Sequence, residues 1–214
     1  VRLIASGLTA IAGTLAVSLG LVLAPPLTPR SWAACPDVEV VFARGTDEPP
    51  GVGKVGQALI VALRQQTPQS VHSYAVNYPA SADFLAAMDG ANDASSHIQQ
   101  MAGTCPNTKL VLGGYSQGAA VVDIVTAAPF PGLGFRQPLP ADAADHIAAV
   151  TLFGNPSGRA GGLMSALTPN FDDKTIDLCN PGDPICSDGN QWKAHLAYVP
   201  GKTNQAASFV AARV

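Results

Sequence analysis

Apolar residues fall into short, nearly unbroken runs along the chain, separated by stretches where they recur at helical spacing. Val38-Glu39-Val40-Val41-Phe42-Ala43 is a β-branched run entering the loop Arg44-Gly45-Thr46, which predicts a buried strand. A helix is predicted from Gly53 to Gln66, with Val55, Leu59, Ala62 and Leu63 on one face and Pro68 ending the pattern. Val71 to Asn77 reads as a second strand, stopped by Tyr78-Pro79. Residues 82–103 have helical character, with a break expected near Gly90. Lys109 to Tyr115 is a third strand that leads directly into a helix-like segment from Gln117 to Ala127. Ile147 to Phe153 and Lys174 to Leu178 supply the fourth and fifth strands, and Asn204 to Arg213 a closing helix. Gly154 to Pro169, rich in Gly and Ser, is expected to be a surface loop. Strands alternating with helices imply βαβ units and a parallel sheet covered on both faces, where strands show as apolar runs rather than as alternation. No internal repeat or second domain is visible.

The first 34 residues break this pattern. No residue between Arg2 and Arg30 is charged, and small residues stand at Ala33 and Ala34. Residues 1–34 are therefore expected to be a secretory signal peptide cleaved after Ala33 or Ala34, leaving a domain at 35–214. An uncleaved membrane anchor is the alternative, since about 20 apolar residues span a bilayer; Gly7, Gly13, Gly20 and Pro25-Pro26 speak against it. All four cysteines, at 35, 105, 179 and 186, lie beyond this segment. An even count after a secretion signal reads as two disulfides with three conceivable pairings. The close spacing of Cys179 and Cys186 suits a local staple, which leaves Cys35 with Cys105.

Composition narrows the class. Only 13% of residues are charged, against roughly 25% in an average soluble domain. Twelve basic and fifteen acidic residues give a net charge of −3. Loss of residues 1–34 would remove Arg2 and Arg30 and no acid, making the remainder more acidic still. A nucleic-acid binder resting on a basic face and a disordered polyelectrolyte are both excluded. No zinc-type cysteine or histidine spacing occurs, so neither metal nor cofactor is expected.

Gly114-Tyr115-Ser116-Gln117-Gly118 is a G-x-S-x-G string between a predicted strand and a predicted helix. That context suits a nucleophile elbow, a sharp turn that projects a serine hydroxyl above the sheet edge. The hydroxyl needs a general base, and the base needs an orienting carboxylate, in the chain order Ser, acid, His. His72 and His97 precede Ser116, and His146 is crowded by Asp142 and Asp145, so these three are read as ordinary surface residues. His195 remains as the base. Asp172, Asp173, Asp177, Asp183 and Asp188 precede it. Asp183 is the preferred acid because a 179–186 disulfide would hold its loop still, and Asp188 is the runner-up.

Four segments together resemble the cutinase family, in its actinobacterial (mycobacterial) cutinase-like branch. They are Val41-Phe42-Ala43-Arg44-Gly45-Thr46, the G-x-S-x-G string, the Cys-x-x-Gly-Asp-x-x-Cys loop at 179–186, and His195-Leu196-Ala197-Tyr198, in family order across about 35–213. The resemblance implies an α/β-hydrolase-type three-layer fold with a central, mainly parallel five-stranded sheet and no lid domain. It implies Ser116 as nucleophile, His195 as general base and then acid, and Asp183 as orienter. It also implies an oxyanion hole from the backbone N–H groups of Thr46 and Gln117, and disulfides 35–105 and 179–186. Pro49-Pro50 and the 154–169 stretch depart from the fungal pattern, which bears on the substrate rim rather than on the chemistry.

The expected activity is hydrolysis of lipid or short-to-medium acyl esters by a secreted or cell-envelope-associated monomer. Transient contact with a lipid interface is expected, and contact with nucleic acid is not. Phe84, Leu85, Met88, Ile185, Trp192 and Leu196 are the candidates for an apolar acyl groove. A phospholipase A, an acyltransferase on the same triad and an inactive secreted binding or antigenic module are the alternatives. Because only neutral imidazole accepts a proton, activity is expected to rise with pH through the ordinary histidine range.

Overall fold

Largely apolar runs 6–7 residues long form the centre of the sheet in a computed structural model of the chain. It describes residues 35–159 and 171–214. The expected signal segment and residues 160–169 of the expected surface loop lie outside the described residues. The strands are β1 (Val38–Ala43), β2 (Val71–Ala75), β3 (Lys109–Tyr115), β4 (Ile147–Phe153) and β5 (Thr175–Leu178). They pair in the order β2-β1-β3-β4-β5, and every pairing is parallel. The helices are α1 (Gly53–Arg64), α2 (Ala86–Thr104), α3 (Gln117–Ala127), α4 (Ala141–Asp145), α5 (Trp192–His195) and α6 (Gly201–Ala211). Pro156–Arg159 and Asp172–Lys174 are single 3-10 turns.

Alternate β1 side chains face opposite layers, as strand geometry requires. Val38, Val40 and Phe42 pack with Leu59, Leu63, Ala206 and Val210 of α1 and α6. Val41 and Ala43 pack with Ile98, Val121 and Val122 of α2 and α3 on the other face. Glu39 shares this second face, and His97 of α2 bonds its carboxylate while stacking on Tyr74 at 3.5 Å between ring centroids. His97 is thus not the surface residue the sequence suggested: a carboxylate on an inner strand needs a partner, and α2 supplies it.

Helix α2 starts at Ala86 and runs unbroken through Gly90. The glycine is there for packing: a Cβ would lie 2.9 Å from Val121 of α3 and 3.1 Å from the Tyr78 ring. Helix α6 begins three residues earlier than expected, directly after Pro200. The short α4 and α5 have too few residues to show a helical period.

The Cys35–Cys105 and Cys179–Cys186 disulfides are both present. The first ties the residues before β1 to the end of α2, at the edge of the sheet where β1 and β3 start. Between β1 and β3 the strand order reverses direction, and the C-terminal ends of strands at such a point form the usual binding crevice of an open α/β sheet. Thr46 follows β1 and Ser116 follows β3, at that edge.

Candidate active site

Ser116 occupies the sharp turn between β3 and α3 with φ 56° and ψ −117°, a left-handed conformation that is strained for any residue but glycine. Its N–H is held by the Phe153 carbonyl at 2.9 Å. The flanking glycines are obligatory: a Cβ on Gly114 would run into the Gly118 backbone, and one on Gly118 into the Ala43 and Arg44 carbonyls. The turn therefore aims the Ser116 hydroxyl out of the sheet edge.

His195 Nε2 lies 3.0 Å from Ser116 Oγ, and His195 Nδ1 lies 2.8 Å from Asp183 Oδ2. Asp183 is 0% exposed and His195 is 3% exposed. The acid is held from several sides. Its Oδ1 accepts the Ile185 N–H at 2.7 Å, and its Oδ2 also accepts the Tyr198 hydroxyl at 2.6 Å. Burial acts to raise its pKa, but the bonds from Tyr198, Ile185 and His195 together outweigh it, so the carboxyl lies below the usual carboxylate range. Burial and the Asp183 charge push the Tyr198 phenol well up, which keeps it a donor.

The 179–186 loop and α5 form one bonded unit. Asn180 Nδ2 donates to the Ala194 carbonyl at 2.9 Å, and the Gln191 N–H donates to Gly182 at 2.8 Å. Tyr115 donates its hydroxyl to the His195 carbonyl at 2.7 Å, and its ring stacks on the imidazole. The other acids do not reach His195. Asp188 is exposed. Asp177 accepts from Asn155 at 3.0 Å, and burial raises its pKa to about 6 against that bond, with the Asp123 charge adding to the rise.

Replacing Tyr198 with phenylalanine tests how the acid is held. Asp183 has a depressed pKa, so its stabilising contribution is complete above the unfolded carboxylate range and disappears as pH falls through the folded value. Loss of the hydroxyl moves that folded value up. Tyr198→Phe should therefore lose stability and turnover at higher pH on the acid side than the parent, with kcat at neutral pH reduced roughly tenfold. Thermal midpoints and rates between about pH 3 and 7 are the measurement, and coincident profiles would contradict this role.

The Thr46 turn is built on Arg44 and Glu48, whose roles were not visible in the sequence. Buried Arg44 donates to the carbonyls of Glu48 and Tyr78, each at 2.8 Å. Glu48 accepts the N–H groups of Gly45 at 2.7 Å and of Lys54, at the start of α1, at 2.8 Å. The Gln117 N–H is the first of α3 and has no intrahelical acceptor. Among the described residues, neither it nor the Thr46 N–H donates to another backbone group. The buried Gln117 side chain clasps the rim: Nε2 donates to Ser81 O at 2.9 Å and Asp83 O at 3.3 Å, while Oε1 faces the Thr46 hydroxyl at 3.4 Å.

A cleft of about 570 Å³ opens over these groups. Phe84, Ile185, Trp192 and Leu196 line it with Val55 and Val199. Leu85 and Met88 do not; they line a separate depression. Successive side chains of the 83–85 turn point to opposite sides, so Phe84 enters the cleft and Leu85 leaves it. No signal in the apolar pattern distinguishes the two.

Comparison with known proteins agrees with this architecture. The family model described as Cutinase matches residues 34–214. The chain is 70% identical to "Phospholipase Culp4" of Mycobacterium tuberculosis over 97% of its own length and 92% of that protein. It is 56% identical to "Probable carboxylesterase Culp3" of the same organism, over 100% of this chain and 84% of the relative. Among solved structures, an acetylxylan esterase superposes with a TM-score of 0.73 at 26% identity, covering 84% of this chain and 99% of that one. A Trichoderma reesei cutinase in complex with a C11Y4 phosphonate inhibitor gives 0.66 at 36% identity, covering 82% and 75%. With the five-stranded parallel sheet and the serine elbow at its edge, these matches establish that the chain belongs to the cutinase family of carboxylic ester hydrolases.

Proposed function

We propose that this protein is a secreted serine esterase that cleaves lipid or short-to-medium acyl esters through Ser116, His195 and Asp183. The observation that carries the reading is the continuous path from Ser116 Oγ through both His195 nitrogens to a buried, ionised Asp183, at the floor of an apolar cleft. His195 Nε2 takes the hydroxyl proton as Ser116 Oγ attacks the ester carbonyl. The carbonyl oxygen becomes an oxyanion and is stabilised by the N–H groups of Thr46 and Gln117 at the positive end of α3. Collapse of the tetrahedral intermediate breaks the bond to the alcohol, which leaves with the proton from His195. Water then attacks the acyl-enzyme, giving up a proton to the same nitrogen, and the acid departs as Ser116 is reprotonated. Asp183 holds the tautomer in which Nε2 is free to accept and stabilises the imidazolium that forms.

Residues 1–34 serve as the signal for export in this reading, and the two disulfides fit an oxidising destination. Phospholipids belong among the substrates because a relative sharing 70% of residues over nearly the whole chain is named a phospholipase. The open apolar cleft agrees, with Phe84, Trp192 and Leu196 exposed at its rim. A panel of esters of increasing acyl length, with a phospholipid included, tests the reading. Cleavage of none of them by the disulfide-bonded protein would refute it.

A further inference from the structure

The depression lined by Leu85 and Met88 has a volume of about 430 Å³. One wall is the 79–89 segment with Asp83 and Asp89, and the other is 133–136 with Leu133 and Arg136. It shares the turn at Phe84 and Leu85 with the cleft, and that turn is pegged by the side chain of Gln117, the neighbour of Ser116.

The 133–136 wall is held in place from behind. Gly132 and Phe135 exchange backbone hydrogen bonds at 2.9 and 2.8 Å, and the Phe135 ring is buried in the core. Asn92 of α2 donates to the Gly134 carbonyl at 2.9 Å and accepts the Arg136 N–H at 2.8 Å. The same anchoring leaves Leu133 89% exposed, with a left-handed φ of 49°. Arg136 takes part in neither of the two ion pairs among the described residues. The backbone that carries an exposed leucine and a cation without an ion pair among the described residues is thus held opposite two carboxylates, in a chain that is acidic overall.

We propose that this depression is a headgroup subsite. Arg136 receives the phosphate diester of a zwitterionic glycerophospholipid, and Asp83 and Asp89 receive its headgroup ammonium, while an acyl ester of the same molecule lies at Ser116. This rests on the esterase reading above and adds the residues that would recognise the headgroup and the zwitterionic charge they would select. A guanidinium presents forked donors that match phosphate oxygens. The facing aspartates repel a purely anionic ligand and complement an amine, so the groove selects a zwitterion. Glycerol, which joins ester to phosphate, lies over the Phe84-Leu85 turn, and Leu85, Met88 and Leu133 meet its apolar part.

The test uses three soluble substrates: dihexanoyl phosphatidylcholine below its micelle concentration, dihexanoylglycerol, and p-nitrophenyl butyrate. Arg136→Gln should lower kcat/KM for the phosphatidylcholine roughly tenfold or more and leave the other two unchanged. Asp89→Asn should weaken hydrolysis of phosphatidylcholine but not of the matching phosphatidylglycerol, which has no ammonium. An equal fall on all three substrates, or no change on phosphatidylcholine, would overturn the subsite. So would a parent enzyme that cleaves the nitrophenyl ester and the diacylglycerol but not phosphatidylcholine, and the esterase reading would survive. Failure of the parent on the nitrophenyl ester would remove both.

Discussion

Ser116→Ala should abolish ester hydrolysis, lowering kcat by a factor on the order of 10⁴ to 10⁶, with the fold intact. Among the described residues its hydroxyl bonds only His195 Nε2, at 3.0 Å, and that nitrogen borders the open cleft, where water can replace the lost partner. What survives is whatever the Thr46 and Gln117 N–H groups and the cleft provide without a nucleophile. Two measurements together check this: turnover of a nitrophenyl ester, and covalent labelling by a fluorophosphonate. Both should vanish in the variant while circular dichroism stays unchanged. Labelling that persists would mean that another residue carries a reactive nucleophile, and turnover that persists would place the chemistry away from Ser116.

The second large effect concerns stability. Replacing Cys35 and Cys105 with serine opens a loop with a sequence separation of 70, which the chain-entropy model values at about 4 kcal/mol. For a domain of this size each kcal/mol moves the thermal midpoint by roughly 2–4 °C, so the drop should be on the order of 10 °C. Ester turnover at 25 °C should be little affected, because the bridge lies where β1 and β3 start and the proposed catalytic groups lie where they end. The Cys179 and Cys186 pair should behave in the opposite way. Its sequence separation is only 7, worth about 2–3 kcal/mol in the same model, but it frames Asp183. Serine at both positions should therefore cost less stability and much more kcat. Melting curves and rates on the two double variants decide the matter, and equal losses of kcat would refute the separation of roles.

These contrasts show why parts of the molecule were readable in the sequence and others were not. Strands buried on both faces must be apolar along their length, so β1, β3 and β4 stand out as runs. The elbow was legible because its geometry demands small residues at fixed offsets from Ser116. The placement of Asp183 beside His195 was legible through the cysteines on either side of it. Tyr198, Arg44 and the Gln117 side chain were not. Each acts through hydrogen bonds to residues far away in the chain: Gln117 reaches Ser81, and Arg44 reaches Tyr78. Such bonds leave no periodic trace, and a buried tyrosine or arginine has the same letter whether it fills space or holds a carboxylate. The pairing of Glu39 with His97 escaped notice for that reason. Leu85 and Met88 were misassigned because apolar character alone does not say on which side of a turn a side chain emerges.

The disulfide around Asp183 has one more consequence. Where thiols are kept reduced, the loop is no longer closed, and the orienting carboxylate loses the frame that fixes it beneath His195. With the proposed triad, hydrolytic power would then depend on the redox state of the surroundings as well as on folding. On the proposed reading of an exported esterase, a chain still inside a reducing cell would be restrained from attacking ester lipids around it, and oxidation on leaving would complete the enzyme.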